Sequence, residues 1–254
     1  EISQYPVVIN EIAWMRTASK YSSDEWIELY NKTNRDIDLS GWTLRAIDGS
    51  PSIPLATTVP AHGFYLLEKT DDNTVFDDIA ASQIYKGDLL NNGGEILELR
   101  NASGWLIDAT PSSNSWVAGE KISPNNYRTM ERVNPYRDGA NPDNWATNNG
   151  VIIKGLAADG TTPIYGTPKA QNSQYDPTLA ISTIISDKTV IASDTIWSLS
   201  RSPYILESNA GAYPRLEVGV TLIIEPGVAV KPISYPSPHP NSLLKKLIIK
   251  GTLL

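Results

Sequence analysis

The chain offers two imidazoles, His62 and His239, 177 positions apart and both set among turn-forming residues. A Ser/His/Asp relay is recognised by geometry, with the base in reach of its nucleophile and its orienting acid, and nothing in this spacing suggests one. Both histidines are expected at the surface. The sequence holds no GxSxG elbow, HExxH pair, phosphate-binding Gly-rich loop or complete EF-hand loop. Carboxylates are plentiful, and a pair of them could serve glycoside hydrolysis or polysaccharide lysis. The richest stretch is TDDNTVFDD at 70–78, where Asp71, Asp72, Asn73, Asp77 and Asp78 could offer oxygens to a hard cation such as calcium. It lacks the EF-hand spacing and terminal Glu, so a solvated acidic loop is the expectation.

Glu11 and Glu28 lie inside apolar, strand-like runs. Alternation would set them beside Ile9 or Trp26 on their own strand faces, leaving them to edge or cross-strand hydrogen bonds. Arg128, Glu131 and Arg132, in YRTMERV, are expected to form surface or half-buried ion pairs with strand carboxylates. Trp26, Trp42, Trp105, Trp116 and Trp145 could make a carbohydrate-stacking platform, but buried aromatics ordinarily supply core area in a sheet protein. No catalytic, cofactor-binding or metal-ligating residue is assigned, and the chain is not expected to be an enzyme.

The elements that would position these residues are short strands. VVINEIAW, EWIELYN, GWTLRAI, FYLLEK and EILELRN are rich in β-branched and aromatic residues and bounded by Gly, Pro, Asn or Asp. The 18 Pro and 17 Gly interrupt helices and supply tight turns, and no convincing amphipathic helix is found. In EWIELYN, Glu25, Ile27 and Leu29 fall on one face and Trp26, Glu28 and Tyr30 on the other, and one face must be core. Ile9, Leu44, Leu66, Leu97 and Leu99 lie in similar runs, enough to build two facing sheets. Asn92-Gly93-Gly94 reads as a turn needing positive φ, and Asn101 to Gly104 as a hairpin connection.

The order of the segments says more than their propensity. VVINEIAW (7–14), DEWIELYN (24–31) and IDLSGWTLR (37–45) resemble the first three strands of the lamin tail domain in its bacterial surface and secreted forms. Further matches are PAHGFYLLEK (60–69), LNNGGEILELRNASGWLIDAT (90–110), the segment around Ser115 and Trp116, YRTMERV (127–133), DNW (143–145) and GTPKAQN (166–172). The resemblance covers roughly 6–172. It implies an immunoglobulin-like β-sandwich with an accessory or surface role, and it supplies no active site.

The expected organisation is a sandwich over 1–172, a polar linker SQYDPT at 173–178, and a second β-rich module over 179–254. In that module VTLIIEPGVAVK (220–231) and KLIIKGTLL (246–254) each pair an alternating strand with a Gly turn, and Gly227 and Gly251 stand 24 positions apart. That interval suits a coil of a parallel β-helix, whose rungs bury their side chains against neighbouring rungs. DTIWSLSRSPYIL (194–206) followed by LEVGVTLIIEPGVAVK (216–231) resembles the opening of bacterial right-handed β-helix surface proteins. About two incomplete coils are expected, with PISYPSPHPNS (232–242) as a loop between rungs, since proline cannot donate to a ladder. The chain starts at Glu1 and stops at Leu254 in mid-strand, so it reads as a piece of a longer protein.

Over its 254 residues the formal net charge is −7, and residues 1–172 hold 14 Lys/Arg against 22 Asp/Glu. That imbalance disfavours direct nucleic-acid binding, which draws on Lys and Arg to neutralise phosphates. With no Cys there is neither a disulfide nor a thiolate metal site. No run of about 18 apolar residues could span a membrane as a helix. These features point to a non-catalytic structural or recognition region of a bacterial extracellular or cell-surface protein, with a surface polysaccharide or another surface protein as partner. The alternative is a carbohydrate-binding or accessory module of a polysaccharide-active enzyme or nuclease whose catalytic part lies elsewhere.

Overall fold

Turn formers every few residues keep the strands short. The computed structural model describes residues 6–76, 79–113, 115–122, 126–177, 183–186, 188–197, 204–206, 213–225, 228, 230–232, 248–249 and 252–253. Among them helix is confined to one 3-10 turn, Pro142–Asn144, started by Asn141, whose side chain accepts from the Asp143 amide. No helix of the described residues is long and apolar enough to cross a membrane. The protein is all-β and divides into two compact units, Glu1–Asp176 and Pro177–Leu254.

The strands described in the first unit are β1 (Val7–Ile12), β2 (Trp26–Asn31), β3 (Ile37–Asp38), β4 (Thr43–Ala46), β5 (Ser52–Pro54), β6 (Thr58–Val59) and β7 (Phe64–Lys69). They continue with β8 (Gln83–Tyr85), β9 (Leu97–Arg100), β10 (Leu106–Ala109), β11 (Glu120–Ile122), β12 (Asn126–Arg128), β13 (Met130–Arg132) and β14 (Trp145–Thr147). A six-stranded sheet runs β14-β13-β1-β2-β7-β8, antiparallel except at its β7–β8 edge. A four-stranded antiparallel sheet runs β10-β9-β4-β5, and β3–β6 and β11–β12 form small ribbons. Ile9, Ile12, Ile27, Leu29 and Leu67 of the larger sheet share one buried core with Leu44, Ala46, Leu97 and Leu99 of the smaller. Burying each of these Ile and Leu side chains contributes roughly 1.5–3 kcal/mol.

The expectation of one core face on β2 is too modest. Trp26 and Glu28 are as fully buried as Ile27 and Leu29, because residues 166–173 cover the sheet's other side. The tryptophans form no platform: Trp26 and Trp145 are buried, Trp42 and Trp116 pack against the core, and Trp105 stands alone in solvent. Trp116 instead stacks on Trp14 with ring centres 5.9 Å apart. Both expected turns form. Gly94 has φ +124°, and a Cβ there would lie 2.5 Å from the Ser115 Cα. Asn101 and Gly104 close the β9–β10 hairpin, with Gly104 at φ +79°.

The first unit extends past 172. Ser173 and Gln174 bond to Glu131, and the Asp176 amide donates to Val133, so the polar stretch at 173–178 begins inside this unit.

The second unit contains β15 (Thr183–Ile185), β16 (Val190–Ile191), β17 (Thr195–Trp197), β18 (Tyr204–Leu206), β19 (Arg215–Leu216), β20 (Thr221–Ile224), β21 (Val230–Pro232), β22 (Ile248–Ile249) and β23 (Thr252–Leu253). They pair in three parallel ladders, β15-β18-β21, β16-β19-β22 and β17-β20-β23. Paired residues stand between 21 positions apart, for Thr183 and Tyr204, and 33 apart, for Arg215 and Ile248. Ile185, Ile191, Trp197, Tyr204, Leu206, Leu216 and Leu222 form its core, where Trp197 stacks on Tyr204 at 4.6 Å. Gly227, Gly251, His239 and residues 233–242 lie outside the described residues, as do Asp77 and Asp78.

Candidate functional site

Three carboxyl groups line up across the larger sheet. The register sets Glu28 of β2 opposite Glu11 of β1, and Glu11 opposite Glu131 of β13. Simple alternation would put Glu11 on the face of Ile9. A β-bulge between Ile9 and Glu11 overturns that: Ile9 turns into the sandwich core while Asn10 and Glu11 both reach the opposite side. All three Glu side chains are fully buried.

Residues 166–174 lie over the row as a strap. Gly166 passes so close that a Cβ would sit 2.7 Å from Thr129 Cγ2 and 2.9 Å from both Glu11 Oε1 and Trp26 Cζ2. Glu11 Oε1 accepts from the Thr129 hydroxyl at 2.6 Å and the Thr167 amide at 2.9 Å. Glu28 accepts from Asn10 Nδ2 at 3.0 Å and the Lys169 amide at 2.6 Å. Glu131 accepts from Asn148, Ser173 and the Gln174 amide. Asn172 ties the strap to the bulge, donating to the Asn10 and Arg132 carbonyls at 3.0 and 2.9 Å.

The proton count inside this row is informative. Thr167 Oγ1 lies 2.8 Å from Glu11 Oε2 and 3.2 Å from Glu131 Oε1, yet it carries a single proton. A neutral Glu11 that donates to Thr167, which in turn donates to Glu131, satisfies all three. Burial, and then the charges of Glu131 and Glu28, hold Glu11 well above its ordinary range. Burial also pushes Glu28 up to about 8, against the hydrogen bonds from Lys169 and Asn10, and raises Glu131. Perturbed carboxyls mark candidate active sites, but these have no solvent-accessible surface and their oxygens are taken by protein donors. Glu25 and Glu68, raised by burial to about 7 and about 8, are likewise enclosed.

The arginines of YRTMERV separate. Arg132 is not at the surface or half-buried: its side chain is 1% exposed and grips Asp108 of the facing sheet at 2.5 Å. Asp108 also accepts from the Ile9 amide at 2.8 Å, so this pair staples the two sheets. Arg128 meets Glu120 at 3.6 Å, partly exposed. Asp71 and Asp72 are exposed and accept from the amides of Asn73 and Ala81. Among the described residues no group of three or more His, Asp or Glu is placed to hold a metal ion.

Beside the strap lies an open cleft of about 180 Å³, lined by Tyr30, Phe64, Tyr136, Tyr175, His62 and Gln171, with Asn10 and Asn172 among its polar lining residues. Tyr30 and Phe64 pack as a tilted ring pair 5.1 Å apart. His62 is exposed, at φ +50°. Sequence reasoning missed this site because its tyrosines come from β2 and from loops after β13 and after the strap, and no local spacing unites them. It also missed Asp108, which lies in LNNGGEILELRNASGWLIDAT (90–110), where no role was read for its carboxylate.

No curated protein matches the chain. Residues 2–113, which span β1 to β10 and so both faces of the sandwich, match the family model of the Lamin Tail Domain.

Proposed function

We propose that this chain is a non-catalytic recognition and display region of a bacterial secreted or cell-surface protein. Its first unit is a lamin-tail sandwich that recognises, and its second is the opening of a right-handed parallel β-helix that displays or extends. One observation carries the reading: the row Glu11, Glu28 and Glu131 is fully buried and hydrogen-bonded within the fold, while an aromatic cleft stays open beside it. The β-helix is supported by three parallel ladders of three strands each, recurring at intervals near those of one coil. The cleft also favours the second reading, an accessory carbohydrate-binding module of a polysaccharide-active enzyme.

The test is incubation of the intact protein with neutral and acidic polysaccharides and with duplex DNA, the products being sized by chromatography. No shortening of any substrate is expected. Products that vanish when an acidic residue is replaced in a still-folded variant would overturn the proposal.

A further inference from the structure

Three phenols converge in the cleft without a protein partner. Among the described residues no hydrogen bond reaches the hydroxyl of Tyr30, Tyr136 or Tyr175, nor the side-chain amide of Gln171. All three tyrosines are half-buried. They lie near enough that Tyr136 and Tyr175, after burial itself, make Tyr30 harder to ionise. The floor is already saturated: Asn10 and Asn172 bond to each other, to Glu28 and to backbone carbonyls, so they hold the cleft's shape rather than wait for a ligand. Arg132 commits Nη1 and Nη2 to Asp108 and to the carbonyls of Ile9 and Arg137, and its Nε is fully buried. Lys32 lies over the Tyr136 ring at 5.8 Å.

We propose that this cleft binds one ring of a neutral saccharide, its apolar face against Tyr30, Phe64 and the neighbouring tyrosines and its hydroxyls against the three phenols and Gln171. The proposal rests on the recognition reading given above and names its ligand class. A volume of about 180 Å³ is below that of drug-sized pockets and suits a single ring. Phenol, carboxamide and imidazole each donate and accept, and a sugar hydroxyl does both in return. A proline-rich peptide would present the same rings with carbonyl acceptors alone, leaving the phenols' acceptor sites unmet. An anionic ligand would need a cation that is not already neutralised, and Arg132 is paired with Asp108.

The experiment is saturation-transfer NMR, followed by calorimetry, on the intact protein with cellobiose, maltose, xylobiose and N,N′-diacetylchitobiose. A proline-rich decapeptide serves as the competing probe. At least one disaccharide is expected to bind saturably. Tyr175→Phe and Tyr136→Phe should each weaken it about threefold to tenfold, the loss of one hydrogen bond, with an unchanged melting temperature. Tyr175→Ala should weaken it more than tenfold, and Trp105→Ala should leave it unaltered. Failure of all four disaccharides, binding indifferent to both Phe variants, or binding of the peptide alone would overturn the proposal. Such failure leaves the non-catalytic reading standing, because that reading is decided by substrate cleavage.

Discussion

Thr167 has one hydroxyl proton and two carboxyl groups within reach, so a proton on one of those carboxyls completes the hydrogen bonding, and Glu11 is the carboxyl that burial and its neighbours' charges raise well above its ordinary range. If Glu11 is the neutral partner, Glu11→Gln replaces an O–H donor by an N–H donor in the same place. Its urea-denaturation stability at pH 5 should stay within about 1 kcal/mol of the parent, one net hydrogen bond. The pH dependence follows in sign. Glu28 and Glu25 have folded values of about 8 and about 7, above the ordinary 4.5. The stability their neutral forms lend is complete below pH 4.5 and is lost as pH climbs through 7 and 8. The denaturation midpoint should therefore fall between pH 5 and pH 9, and fall less in Glu11→Gln; a midpoint that rises over that range would contradict the assignment. Arg132 obeys the opposite logic, since its charge is permanent. Asp108→Ala leaves it buried and unpaired and frees the Ile9 amide, so a loss of about 3–5 kcal/mol is expected by chemical denaturation.

At the scale of elements, the strap is what makes the outer face of β2 an interior. Gly166→Ala must push it away from Thr129, Glu11 and Trp26, at a cost of about 1–3 kcal/mol measured by thermal unfolding. A first unit ending at 172 loses the Ser173 and Gln174 donors to Glu131, whereas one ending at 176 keeps them, so the shorter form should melt lower. The strands themselves were legible. EWIELYN alternates, NNGG and NASG turn, and the order of the opening runs points to the family that residues 2–113 match. The bulge at Asn10 was not legible, because one extra residue in a ladder leaves the local pattern of VVINEIAW unchanged while turning Glu11 to the other face. Nor could the burial of Glu28 be read from EWIELYN, since the residues that cover it lie more than a hundred positions downstream. Local alternation reports which side chains share a face and is silent on what covers that face.

Over the described residues of the first unit, Glu11, Glu28 and Glu131 are buried while tyrosines line an open cleft, and the proposed binding role rests on that contrast. The acidic excess of residues 1–172 opposes phosphate backbones, and the carboxyls of Glu11, Glu28 and Glu131 are folded inward beside a cleft lined mainly by rings and polar side chains. Everything proposed for the first unit depends on that row of glutamates being structure and not an open acid–base site. Carbon-13 carboxyl NMR on glutamate-labelled intact protein, followed from pH 4 to pH 10 with and without a bound disaccharide, addresses it directly. Glu28 should titrate at about 8, Glu11 should titrate well above its ordinary range, and neither should respond to the ligand. Titration of all three near the ordinary 4.5, or a displacement of their values by the ligand, would place the row in solvent and within reach of a substrate, and would contradict the account.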